Sequence, residues 1–379
     1  MADKNQMVTK RQVSTSIGTQ AMRMILLTTV LSALFITGCT TIGPDVIPRD
    51  RFDYNTAISD SWKEQTLLNI VKLRYADMPL FVEVVSIVSG YTLEGSVNLG
   101  ATESSENAIQ GDFLSLGTAG KFTDRPTITY APITGQQFNK SFMTPIPPKA
   151  VIFLLQSGWS AELILPLTVE SLNGLRARKA AGVGQRTGDP EFYRAIELFQ
   201  EIQISGAVGM QILSSDASEE TTVLFIHREH VSDDLKAKMK ELDSLLGLNP
   251  KRQQFQITYG MLPGSDGEIS LLTRSILQIM IALATEVEVP IEDVTEGRTV
   301  PGYNQGKKAD PKQGRLIDIK FSEHKPDDAF TSVNYRDHWF WIDDRDFKSK
   351  RTFAFLMILF SLTETGGQEG LPLVTIPAG

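Results

Sequence analysis

The chain has 379 residues, 41% hydrophobic, 8% aromatic and 22% charged, with a formal net charge of −8. That length suits one large elaborated domain or two to three smaller ones, and the apolar content excludes disorder as the general state. An acidic chain without a basic patch argues against a nucleic-acid partner, and a single cysteine excludes a disulfide framework.

The first element is a leader. Lys4, Lys10, Arg11 and Arg23 precede an apolar run from Met24 to Ile36, followed by Thr37, Gly38 and Cys39. A charged start, about a dozen apolar residues and a small-residue end make a secretory signal rather than a membrane span. Met22-Arg23-Met24 opens a compact version of it, so the true start is either Met1 or Met22. Ile36-Thr37-Gly38-Cys39 resembles the lipobox of bacterial lipoproteins, and Cys39 is the only cysteine. The resemblance implies cleavage between Gly38 and Cys39, with Cys39 then carrying the fatty acyl chains (palmitate among them) that anchor the protein. A buried free thiol, the plain alternative, does not account for the Cys closing a signal. Thr40 stands where lipoproteins retained at the inner membrane commonly carry Asp. The resemblance therefore implies the periplasmic face of the outer membrane, with inner-membrane retention the weaker alternative. Loss of residues 1–38 removes four positive charges and one negative, so the mature chain is more acidic still.

Residues 39–52 read as a lipidated tether in which Pro44 and Pro48 prevent a helix. A helix is expected from Tyr54 to Tyr75, then a buried β-branched strand from Leu80 to Val88. Tyr91–Leu99 and Thr127–Tyr130 alternate apolar and polar, which predicts an antiparallel hairpin or meander with long polar connections. Pro145, Pro147 and Pro148 mark a boundary before a helix over 149–156, and Gly158-Trp159-Ser160 breaks it. Glu162–Val169 reads as a strand and 174–188 as a basic, Gly-rich loop. Asp189-Pro190 starts a helix that buries Phe192, Ile196, Phe199 and Ile202. Thr221–Ile226 is a strand, Val231–Leu246 an amphipathic helix, and Gln254–Tyr259 an edge or one-sided strand. Ser270–Thr285 is apolar nearly all round and predicts a buried helix, followed by a strand over Val287–Ile291. Residues 296–315 form a flexible loop; Arg315–Phe321 and Tyr335–Ile342 form a strand pair. A helix over Lys348–Leu362 and a strand over Leu371–Pro377 complete the chain.

These elements predict an α+β fold, helices packed on small mixed or antiparallel sheets, with a β-rich segment around 80–132. The regions are 53–145, 146–295 and 316–379. An apolar helix followed by a β-branched strand recurs four times; ordinary α+β packing accounts for this more simply than duplication.

Little in the sequence points to catalysis. His227-Arg228-Glu229-His230 differs from a zinc-helix motif in order and has no third ligand, so two solvated histidines is the better reading. Asp343-Asp344-Arg345-Asp346 lacks the Gly and distal Glu of a calcium loop; Asp346 is placed to cap the following helix. No nucleophile elbow, P-loop or dinucleotide fingerprint occurs, and no cofactor is implied. Trp339 and Trp341 share one face of a strand opposite Phe340, one side core and the other a candidate partner-binding platform.

The favoured expectation is a lipid-anchored, non-enzymatic scaffold or accessory subunit of an envelope assembly, its partners an envelope protein or further copies of itself. The alternatives are a self-assembling channel or export subunit built with strands from 91–132, and a periplasmic binder or enzyme without a visible motif. For the channel, the acidic residues Glu94, Glu103, Glu106, Asp112 and Asp124 must face a lumen or lie in turns.

Overall fold

The computed structural model describes residues 46–88, 91–102, 113–178, 187–215, 219–302 and 315–363. Among them helices pack on small open sheets, the α+β arrangement that the sequence predicts. Two compact units are present: the described residues up to Ser59 with Val88–Thr127, and Asp60–Ile87 with the described residues from Ile128 on. The units follow contacts rather than chain order. Region 53–145 is divided between them, while the central and C-terminal regions share one apolar core running from Leu67 to Phe360.

Helix α1 (Val46–Arg74) begins eight residues earlier than expected and takes in residues 46–52 of the expected tether. Pro48 is tolerated because it lies in the first turn, where backbone N–H groups have no helical acceptor. Downstream, Leu67, Ile70, Val71 and Tyr75 form the buried stripe. Two amides on this helix catch the chain that follows. The Asn69 side chain donates to the Leu80 carbonyl and accepts from its N–H, at 2.8 and 2.9 Å. Gln65 does the same for Val82, at 3.1 and 2.7 Å. Strand β1 (Val82–Val88) is thereby held at its start; it is half-buried rather than buried, with Val85 exposed. Strands β2 (Tyr91–Thr102) and β3 (Phe113–Asp124) form their own two-stranded sheet, and β4 (Thr127–Pro132) pairs with β1. Most of the Gly- and Ser-rich stretch expected to be connection is therefore strand.

A short helix α2 (Gly135–Phe138) and a π-turn over Asn139–Met143 lead to α3 (Pro148–Gln156) and α4 (Ala161–Thr168). Residues 162–168 are thus helical, not extended; the strand starts only at Val169. The reason is tertiary: Gln203 and Gln200 accept the first N–H groups of α4, from Ala161 and Glu162. A short apolar run carries no periodicity that separates a buried helix from a buried strand.

The main sheet orders β5 (Val169–Leu172), β6 (Leu175–Arg176), β7 (Val208–Ser215), β8 (Glu219–Ile226), β9 (Gln254–Tyr259) and β10 (Glu268–Thr273) as β6-β5-β10-β9-β8-β7. Its pairs are antiparallel except β9–β10. Strand β9 is one-sided, with Phe255 and Ile257 buried, but central rather than at an edge. Helix α5 (Pro190–Ile204) has Pro at its first position; Asp189 accepts from the Arg176 N–H instead of capping the helix. Helix α6 (Asp233–Leu246) is capped by Ser232 and ends at Gly247, whose φ of 66° suits a residue without Cβ. The expected helix over 270–285 is strand β10 followed by α7 (Ile276–Ala284), which starts on a Ser275–Gln278 capping box. Beyond it, Val287 makes a single parallel bridge to Ile319 in place of the expected strand, and Pro290 opens a short helix α8 (Ile291–Thr295).

A third sheet orders β11 (Lys320–Ser322), β12 (Ala329–Tyr335) and β13 (His338–Asp343) as β11-β13-β12, all antiparallel. The expected pairing of the 315–321 and 335–342 segments is present, joined by β12, which the sequence did not signal. Helix α9 (Phe347–Thr363) buries Phe353, Leu356 and Phe360; Phe353 meets Phe330 of β12 edge to face, while Phe360 packs against Phe81 and Phe142. The terminal strand expected at 371–377 lies outside the described residues.

Candidate functional site

Strand β13 sorts its aromatic residues by alternation. Phe340 and Ile342 are fully buried, while Trp339, Trp341 and Asp343 occupy the opposite, partly exposed face. The pairing continues that face: Ser322 and Asn334 flank Trp339, and Lys320 and Ser332 flank Trp341. Lysines cap both indoles, Lys325 Nζ at 5.4 Å from the Trp339 ring and Lys320 Nζ at 5.1 Å from that of Trp341. Lys320 also reaches Asp343 at 3.3 Å. The buried Trp341 Nε1 has no hydrogen-bond partner among the described residues. The core half of this reading is thus met by Phe340, and the indoles form the outer face.

The β12–β13 hairpin turns at Arg336 and Asp337, both left-handed at φ 51° and 65°, an unusual conformation for side chains with Cβ. Stacking accompanies the strain. The Arg336 guanidinium lies 5.1 Å from the Tyr75 ring and 5.6 Å from that of Tyr335. Tyr335 donates to Asp77 at 2.9 Å; Tyr75, packed on Tyr335 and Phe340, donates to Asp293 at 2.6 Å. Asp293 also accepts from Arg298 at 3.1 Å. Burial, then the hydrogen bond to Asp293, pushes the Tyr75 phenol well above its ordinary range, so it stays protonated. Buried Arg74 donates to the carbonyls of Val287 and Val300 and to Thr299 Oγ1, and burial lowers its pKa. This cluster joins residues more than 200 positions apart, and the sequence carries no signal for it.

The other sequence candidates resolve into structural contacts. In His227–His230 the working residue is Arg228, which binds buried Asp243 through two 2.8 Å hydrogen bonds; the histidines are exposed. Asp346 caps α9 as expected, accepting from the Ser349 N–H and hydroxyl. Asp343 is held by Arg345 and Lys320. Among the described residues, no group of three His, Cys, Asp or Glu is placed to hold a metal ion. Gly38 and Cys39 lie outside the described residues, as do Glu103, Glu106 and Asp112.

The β2–β3 hairpin is the remaining candidate surface. Twelve consecutive register pairs, Tyr91↔Asp124 to Thr102↔Phe113, run without a bulge. Residues 94–98 and 117–121 are exposed, Val97 at 63%. As the sheet has two strands, one edge of each is unpaired by another strand among the described residues. Glu94 and Lys121 face each other across it at 4.0 Å.

No protein-family model, no curated protein and no solved structure matches this chain. Among the described residues no helix is long and apolar enough to cross a membrane.

Proposed function

We propose that the chain is a lipid-anchored subunit of an assembly at the periplasmic face of the outer membrane, acting by binding and scaffolding rather than turnover. The observation that carries this reading is the twelve-pair hairpin, exposed over 94–98 and 117–121, with one edge of each strand unpaired by another strand among the described residues. A two-stranded hairpin is marginal in water, and open edges invite pairing. The lipobox resemblance at Ile36-Thr37-Gly38-Cys39 supplies the anchor. The lysine-capped indoles of Trp339 and Trp341 add a surface with the aromatic and cationic character of protein interfaces.

Labelling with radioactive palmitate tests the anchor. Wild-type protein takes up label and sediments with outer membranes, whereas Cys39→Ala takes up none and leaves that fraction. An unlabelled wild type sinks the reading.

A further inference from the structure

We propose that the β2–β3 hairpin crosses the outer membrane as two strands of a barrel shared by several copies of this chain. The inference rests on the anchored-subunit reading and deepens it by naming what covers the hairpin: lipid on one face, and another copy of the chain at each edge.

The register sorts the residues into two faces. On β2, positions Leu93, Gly95, Val97, Leu99 and Ala101 share one face, opposite Phe122, Gly120, Thr118, Leu116 and Leu114 on β3. Those positions hold no charge and a single hydroxyl. Glu94, Ser96, Asn98 and Gly100 share the other face, opposite Lys121, Ala119, Gly117 and Ser115. The stretches Leu93–Ala101 and Leu114–Phe122 each match the roughly nine to eleven residues of a membrane-spanning strand, with its apolar-out, polar-in alternation.

Water is a poor environment for this surface. Val97 sits in the middle of the apolar face and is 63% exposed, so no described residue covers it. Hydrocarbon accepts such a face but not an open strand edge, where each unpaired backbone group is costly. A second copy closes the edge. Placing β2 of one copy beside β3 of the next continues the antiparallel order, a head-to-tail contact that closes into a ring. Charge fits as well. Glu94 and Lys121 are the only charged residues in the two spanning stretches, and they lie opposite each other on the polar face. Two strands per copy and about eight strands for the smallest barrels require about four copies or more.

The test uses the full-length protein extracted from outer membranes and reconstituted in liposomes. Cys39 is the only cysteine and the lipid occupies its thiol, so a single introduced cysteine is a unique probe. A membrane-impermeant maleimide is expected to label Ser96→Cys and Asn98→Cys at least tenfold faster than Gly95→Cys and Val97→Cys. Wild-type protein, which needs no substitution to be informative, is expected to run as an oligomer of one polypeptide and to give stepwise conductance in planar bilayers. Asn98→Lys is expected to keep the oligomer and shift its ion selectivity toward anions. Equal labelling at all four positions overturns the inference. So does protection of positions 95 and 97 in a protein that is monomeric, or bound to a second polypeptide, and non-conducting. Palmitate labelling and Cys39-dependent sedimentation survive either outcome; their loss instead removes the anchored-subunit reading.

Discussion

Glu286 enters the core with its charge matched on two sides. Arg178 pairs with one carboxylate oxygen, and the N–H groups of Leu316 and Ile317 reach the other at 2.8 and 3.3 Å. Burial pushes the carboxyl upward, and these partners oppose it. Removing one member of a buried pair costs about 3–5 kcal/mol, because the other charge stays buried. Glu286→Gln is therefore expected to lower stability by about that amount in chemical denaturation. A loss under ~1 kcal/mol would mean that Arg178 finds water or another acceptor. The partly buried Asp343 behaves differently. Hydrogen bonds from the Arg345 N–H and guanidinium, then Lys320, pull its carboxyl down to about 2. Its folded pKa lies below its unfolded one, so the pairing stabilises above the ordinary carboxylate range and is lost as pH falls toward 2. The indole N–H resonance of Trp341, beside Lys320 and Asp343, should hold steady from pH 7 to about 4 and move below that. Asp343→Asn should abolish the movement, and an unchanged titration would show that another group causes it.

The elements most legible in the sequence are those whose period and punctuation agree. Asp189-Pro190 with Phe192, Ile196, Phe199 and Ile202 announces α5, and Asp346 announces the start of α9. The two faces of β13 and strand β2 are equally plain in their alternation, whereas β3, the partner of β2, lies in the Gly- and Ser-rich stretch that reads as connection. Elements set by distant partners were not legible: α4 depends on Gln200 and Gln203, and β10 on its neighbours β5 and β9. The Tyr75–Asp293 contact spans 218 positions, beyond any local pattern. The clamp by Asn69 was hidden for the same reason, since an Asn inside a helix ordinarily signals little. Its amide serves both backbone groups of Leu80, so Asn69→Ala leaves a donor and an acceptor without their partner and should cost about 1–3 kcal/mol. Amide exchange at Leu80 should speed up with it. Exchange unchanged at Leu80 would mean that β1 is positioned by its pairing with β4 alone.

At the scale of the whole molecule, the apolar core and the hairpin draw on different residues. Every side chain in the core cluster, from Leu67 to Phe360, belongs to the unit that contains Asp60–Ile87 and the described residues from Ile128 on. Among the side chains described, none in this cluster comes from Tyr91–Thr102 or Phe113–Asp124, so the described core is built without the hairpin. Strands β1 and β4 pair with each other at the points where the chain leaves for the hairpin and returns. Two residues in a type I′ turn suffice to join paired antiparallel strands. A variant in which Asn-Gly replaces residues 89–126 should therefore fold with a melting temperature within about 3 °C of wild type, since none of the described core residues is removed. On the proposed anchored-subunit reading, it should attach to the membrane through Cys39 as the wild type would while losing whatever assembly the hairpin mediates, read as a fall in native mass in detergent. A variant that fails to fold would show that the hairpin stabilises the body. One that folds and keeps its native mass would move the assembly surface to the Trp339–Trp341 face. The two outcomes separate a body that presents a hairpin from a hairpin that organises the body.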